Sequence, residues 1–175
     1  MMMFLDRNSG LVIREAEESD LSDVLDLYAQ LGQDNGDVLP VSDAMEIFGK
    51  MKTYPDYRLY VATYGGKAVG SFTLLVMDNL AHLGAPSAVL EDVVVRETLR
   101  GQGVGTAMMA FAGSLARAKG CYKLAFSSNR NRTRAHRFYE KLGFEIHGYS
   151  FLMDLAPNES GPGPHFLIEE QDIHG

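Results

Sequence analysis

Arg100-Gly101-Gln102-Gly103-Val104-Gly105-Thr106 sets three glycines at alternate positions behind an arginine. Upstream lies an apolar, β-branched stretch around Val89, Leu90, Val93, Val94 and Val95, and downstream Met108, Met109, Phe111, Ala112 and Leu115 recur at helical spacing. The junction therefore reads as strand, glycine loop and helix N-terminus. Chemically, it suits an anion. The first amides of a helix lack intrahelical acceptors and sit at the positive end of its dipole. Glycines remove the Cβ atoms that would hold a phosphate away and permit a positive φ, and Arg100 adds a full charge. A Walker loop would need a lysine before Thr106, so the run argues against a nucleotide-dependent phosphotransferase, and its spacing is not that of a dinucleotide fold. Taken alone, the cluster is also compatible with a tight strand-to-helix connection.

The flanking sequence predicts the elements that hold this loop. Leu11–Arg14 is a first strand. N-cap chemistry at Glu17-Glu18-Ser19-Asp20 opens a helix carrying Leu21, Val24, Leu25, Tyr28 and Leu31, which Gly32 ends. A second helix begins after Ser42, with Met45, Ile47, Phe48 and Met51 as its apolar residues, and stops before Tyr54-Pro55. Strands over Arg58–Thr63 and Ala68–Met77 are joined by a hairpin turn at Gly65-Gly66. After the glycine helix, which Gly120 closes, come a strand over Tyr122–Ser127, a helix over Arg132–Leu142 closed by Gly143, and strands at Phe144–Ile146 and Tyr149–Leu155. This order predicts an α+β fold, a mixed and mostly antiparallel sheet of six to seven strands with helices on both faces and a parallel pair beside the glycine helix. Residues 1–10 read as a flexible leader, 11–155 as a single domain and 156–175 as a Pro-, Gly- and acid-rich C-terminal tail.

The chain has 175 residues, 46% of them apolar, enough to bury one core. A net charge of −7 argues against nucleic acid as a partner and favours a basic or amine ligand. One cysteine, Cys121, rules out an internal disulfide, so a reducing cytoplasm is the expected compartment. No run is long and apolar enough to span a bilayer, so no membrane partner is expected. His82, His136 and His147 lack metal-ligand spacing, and no metal is expected. Cys121 reads as a small apolar residue beside a strand.

A second run, Arg134-Ala135-His136-Arg137-Phe138-Tyr139-Glu140-Lys141-Leu142-Gly143-Phe144, follows one strand after the glycine helix. It resembles the signature Asn-x-x-Ala-x-x-Leu/Phe-Tyr-x-Lys-x-Gly-Phe of the GCN5-related N-acetyltransferase (GNAT) superfamily. The glycine loop resembles that superfamily's pyrophosphate loop, Arg/Gln-x-x-Gly-x-Gly/Ala, with Arg100, Gly103 and Gly105 at the specified positions. Two motifs in the right order are far more specific than either alone. The resemblance implies a GNAT-type fold whose central parallel strands splay apart, and an acetyl-CoA-dependent N-acetyltransferase acting on a primary amine. It allows a homodimer. Acetyl-CoA is implied as co-substrate, lying along Val93, Val94 and Val95, over Arg100, Gly101, Gln102, Gly103, Val104, Gly105 and Thr106, and against Asn131, Arg132, Ala135 and Phe138.

By the same resemblance Tyr139 is the general acid that protonates the leaving sulfur; the other reading is an aromatic packed on the sheet with its hydroxyl capping a backbone group. Glu91 is the first choice for the base, through water, and Asp92 is its rival. A bulge in this strand would decide how the two carboxylates are aimed. Either acid could also be simply solvated or paired with Arg96. The signature's Asn falls on Arg132, so either Asn131 takes its role by a shift of register or Arg132 reaches the coenzyme phosphates. Asp34 and Asp37 lie in the segment between the first two helices, which in this superfamily borders the acceptor pocket, and are candidates for attracting the amine. The run from Asn131 to Tyr139 resembles acetyltransferases of small amines, including the aminoalkylphosphonate type. LEDVVV with Gly120-Cys121-Tyr122-Lys123 resembles glucosamine-6-phosphate N-acetyltransferases. A protein or peptide amine as acceptor, and an acyl-CoA-binding module without turnover, are the alternatives.

Overall fold

The computed structural model describes residues 4–6 and 10–153. They divide into two compact units, one ending at Phe144 and the other beginning at Glu145. The first carries β1 (Phe4–Asp6), β2 (Leu11–Glu15), α1 (Leu21–Ala29), α2 (Val41–Thr53), β3 (Tyr57–Tyr64), β4 (Lys67–Met77), β5 (Ser87–Val95), α3 (Val104–Ala118), β6 (Lys123–Ala125) and α4 (Thr133–Lys141). Its strands form one mixed sheet in the order β1-β2-β3-β4-β5-β6, antiparallel except for the β5–β6 pair.

Local chemistry accounts for most boundaries. The β3–β4 hairpin turns at Gly65 and Gly66, both at positive φ, as a tight two-residue turn requires. α2 stops at Thr53 because Tyr54, ahead of Pro55, is extended. β2 is tied to the start of α1 by Asp20, which accepts two hydrogen bonds from the Arg14 guanidinium at 2.7 and 2.9 Å and a third from the Glu17 amide. Asp20 is only 4% exposed, so its charge is held by that fork.

The two sheet faces bury different helices. Ile13, Tyr60, Phe72, Leu74 and Leu90 pack with Met108, Phe111 and Ala112 of α3, and Phe138 and Tyr139 of α4 join that cluster. Leu59, Val61, Ala68 and Val94 pack on the other face with Leu21, Val24 and Leu27 of α1 and Phe48 of α2. Helices on both faces and a mostly antiparallel sheet match the expected architecture.

Several details differ. Phe4–Asp6 pairs antiparallel with β2, where a leader was expected. The strand expected over Tyr122–Ser127 shortens to Lys123–Ala125, and α1 ends three residues before Gly32. Met45 and Ile47 of α2 are exposed, and Ala44 and Phe48 carry its buried stripe. In the second unit, residues 145–153 carry no helix or strand, although strands were expected at Phe144–Ile146 and over Tyr149–Leu155. Gly143 at positive φ and Gly148 leave the first run too short. Alternation in the second assigns faces but supplies no pairing edge. Asp154, Leu155 and the expected tail over 156–175 lie outside the described residues.

Candidate active site

Pairing between β5 and β6 is brief. Ser87, Ala88 and Val89 face Lys123, Leu124 and Ala125 in parallel, after which β6 ends while β5 continues from Leu90 to Val95. Among the described residues the far half of β5 thus pairs with no strand on that side, the opening expected of a splayed pair.

The glycine loop sits at the end of this free stretch. Gly101 and Gly103 both adopt positive φ, and a Cβ on either would meet nothing within 4 Å, so the loop curls around open space. Gly103 caps α3, and the first helical bond runs from the Ala107 N–H to its carbonyl at 3.0 Å. Among the described residues the amides of Gly103, Val104, Gly105 and Thr106 find no acceptor. Four free donors at the positive end of a fifteen-residue helix make a strong anion site. Gly105 serves differently. A Cβ there would lie 3.2 Å from Phe138 Cζ and 3.7 Å from Val95 Cγ2, so this glycine lets α4 and β5 close on the helix start. Arg100 is fixed alongside, its Nε donating to the Val95 carbonyl at 3.2 Å and its guanidinium facing Glu97.

The remaining residues expected along the coenzyme divide by burial. Val93 and Val95 are half-buried on the α3 face, whereas Val94 is buried on the opposite face and Val104 is buried in the α3-side core, so each can offer only its backbone. Gln102 and Thr106 are exposed, and the Gln102 side chain donates to the Thr98 carbonyl. Ala135 and Phe138 are half-buried on α4. Arg132 and Asn131 are exposed at its start, where Arg132 is the N-cap and the Asn131 amide donates to Asn129 Oδ1.

Tyr139 packs against Phe126 at 4.3 Å between ring centroids, just beyond the end of β6. Phe138 and Phe144 complete its aromatic surround. Among the described residues its hydroxyl has no hydrogen-bond partner, so it caps no backbone group there. Burial pushes its pKa above the ordinary phenol value against the lowering effect of Arg132, so it is protonated at neutral pH.

Across the sheet, β5 bulges. Thr73 of β4 pairs with Glu91 and Ser71 with Val94, so one extra residue on β5 is accommodated between them. Asp92 takes it up at φ 51, a conformation that Asp tolerates better than most residues. Both carboxylates are consequently aimed to the α1/α2 side, and Val93 returns to the α3 side. Neither pairs with Arg96, whose guanidinium donates to the Ala68 carbonyl at 3.0 Å. Glu91 is exposed beside Tyr57. Burial first, then Glu91 and Asp92, raise that phenol's pKa. Asp92 lines a cavity of about 260 Å³ between α1 and α2, together with Tyr28 and Asp37. Asp92 is exposed too, yet the partial desolvation it meets against the cavity raises its pKa and makes it a stronger base than a free carboxylate. Asp37 is exposed at the cavity rim; Asp34 sits in the turn over Gln33–Gly36, its side chain outside the described part.

Sequence reasoning missed the groups around the acids. Tyr28 reads as a core position by its helical spacing, yet its hydroxyl lies beside Asp92, Ser71 and Thr73. Burial, reinforced by Asp92, pushes its pKa up to about 12. Ser71, one of those neighbours, is fully buried. No local signal could reveal either, since α1 meets β4 only through tertiary packing.

A second cavity, of about 480 Å³, runs along α3 to β6 and the end of α4. Its Cys121 thiol is pushed to higher pKa by burial, so it is no activated nucleophile. Among the described residues no group of three or more His, Cys, Asp or Glu side chains could hold a metal, and no helix is long and apolar enough to cross a membrane.

The model of the Acetyltransferase (GNAT) family matches residues 23–144. A glucosamine 6-phosphate N-acetyltransferase of Trypanosoma brucei brucei is 31% identical over 149 residues, covering 83% of this chain and 96% of that protein. An aminoalkylphosphonate N-acetyltransferase of Salmonella typhimurium is 27% identical over 143 residues, covering 82% and 90%. A solved Trypanosoma brucei acetyltransferase superposes with a TM-score of 0.69 at 31% identity, covering 83% of this chain and 99% of that one.

Proposed function

The chain belongs to the GNAT acetyltransferase family, and from that membership we propose that it acetylates a primary amine of a small molecule, using acetyl-CoA by direct attack on the thioester. The observation that carries this reading is the set of unsatisfied amides from Gly103 to Thr106, opening where β5 has lost its β6 neighbour. A diphosphate fits them: four donors, no Cβ over the loop and Arg100 alongside. Two of the relatives above are named for small amine acceptors, which favours a small acceptor over a protein.

The coenzyme, when bound, supplies an acetyl group activated as a thioester; the chain supplies positioning and proton transfer. The β5 bulge sets neighbouring residues on opposite sides of the sheet, Asp92 on the cavity side and Val93 toward α3. Asp92, its basicity raised by desolvation, takes a proton from the incoming ammonium, directly or through water. The neutral amine then forms the C–N bond as the C–S bond breaks, and the nitrogen gives up its second proton to water to leave the neutral amide. Tyr139, still protonated, gives its proton to the departing sulfur and recovers one from solvent. Glu91, beside Tyr57, is the alternative base.

Tyr139→Phe tests this. Calorimetry should find acetyl-CoA affinity unchanged, while kcat for acetyl transfer falls about 10²-fold, the scale of a lost general acid. Unchanged transfer would remove Tyr139 from the chemistry. A wild-type protein that binds acetyl-CoA but acetylates neither small amines nor peptide pools would be a binding module, and exclusive peptide activity would make the acceptor a protein.

A further inference from the structure

The relatives are named for acceptors that carry phosphate or phosphonate. The cavity beside Asp92 is built for something else. We infer that the acceptor of this enzyme is an unphosphorylated, largely apolar primary amine of one ring or a short chain, an inference that rests on the acetyltransferase reading above.

Three features carry it. First, the walls are apolar: Leu21 and Val24 of α1, Ile47, Phe48 and Met51 of α2 and Leu59 of β3 line the cavity. Second, the charged groups there are Asp37 at the rim and Asp92 at the bulge, and no Lys, Arg or His lines it among the described residues. A phosphate dianion entering this space would meet two carboxylates and no cation, whereas an ammonium would meet favourable charge at both ends of its path. Lys52 of α2 lies outside the lining, its Nζ 3.4 Å from Glu18 and 4.4 Å from the centre of the Phe48 ring. Third, at about 260 Å³ the cavity falls below the ~300–1,000 Å³ typical of drug-sized ligands, so its occupant is small. Val38 and Leu39 extend the apolar surface to the mouth, where they stand exposed. Beside Asp92, the Tyr28 hydroxyl, kept protonated by burial, is the polar group of the lining that is not an acid.

The test uses the full chain. Acetyl-CoA binding is measured first by calorimetry. Release of free thiol is then followed with 2-phenylethylamine, glucosamine 6-phosphate and 2-aminoethylphosphonate as acceptors. The expected result is a kcat/KM for 2-phenylethylamine at least tenfold above either phosphorylated amine, and in Asp37→Asn a roughly tenfold higher KM for it with kcat retained. Acetyl-CoA binding combined with preference for a phosphorylated amine, or with no turnover of 2-phenylethylamine, overturns the acceptor class and leaves the acetyltransferase reading intact. Absence of acetyl-CoA binding overturns that reading itself, and the inference with it.

Discussion

Replacing Gly103 with alanine probes the loop where the coenzyme reading is most exposed to refutation. Gly103 sits at φ 88, and a Cβ there would touch no atom of the protein within 4 Å. The stability cost therefore comes from backbone strain alone, about 1–2 kcal/mol for an L-residue held in the left-handed region. For a chain of this size that lowers Tm by roughly 2–8 °C. The added methyl stands in open space on the loop proposed to hold the diphosphate, so it is expected to obstruct that ligand. Acetyl-CoA affinity should fall at least tenfold, about 1.4 kcal/mol. Gly105→Ala provides the contrast. Its Cβ would meet Phe138 Cζ at 3.2 Å, so its effect enters through the packing of α4 rather than through strain. Differential scanning calorimetry and titration calorimetry with acetyl-CoA on both variants read the two quantities separately. If Gly103→Ala lowered Tm as expected yet bound acetyl-CoA with wild-type affinity, the diphosphate would not lie on these amides, and the mechanism built on them would fall.

Asp92→Asn should lower kcat by roughly 10²–10³ with little change in acetyl-CoA affinity, as for loss of a general base. Because desolvation raises the Asp92 pKa, the acid limb of the wild-type rate profile should lie above the ordinary carboxylate value of 3.8 and vanish in the variant; a limb that persists would assign the base elsewhere. Asp20→Ala should cost about 3 kcal/mol in urea unfolding, since it leaves Arg14 partly buried and without its fork. Burial opposes ionisation of Asp20, but the Arg14 and Glu17 hydrogen bonds outweigh it and hold its pKa below 3.8. Its contribution is thus complete above that pH and is lost as pH falls through the lowered value, so the gap between wild type and variant should close in acid. A gap independent of pH would mean that the ion pair is not what Asp20 contributes.

Much of this protein is written locally. Alternation and β-branching mark the strands, Gly65-Gly66 marks the hairpin, Pro55 ends α2, and the alternate glycines after Arg100 mark a helix start open to an anion. Each of these signals acts through the φ and ψ of a few adjacent residues, so a linear reading reaches them. The expected leader and the expected strands after Gly143 show the limit. Phe4–Asp6 became a strand because β2 offered it an edge, and residues 145–153, despite their alternation, form no ladder.

The aim of Glu91 and Asp92 lay beyond such a reading. It depends on the register between β4 and β5, in which one extra residue is taken up between Glu91 and Val94, and register is a property of two strands. The cavity is likewise made by α1, α2 and β5 together, and so is the grouping of Tyr28, Ser71 and Asp92 from three separate elements. By itself the sequence determined which chemistry the chain could attempt, because backbone propensity and charge are encoded residue by residue. Only the tertiary structure decided which carboxylate lines the cavity and how apolar its surroundings are, because desolvation arises where distant segments exclude water together.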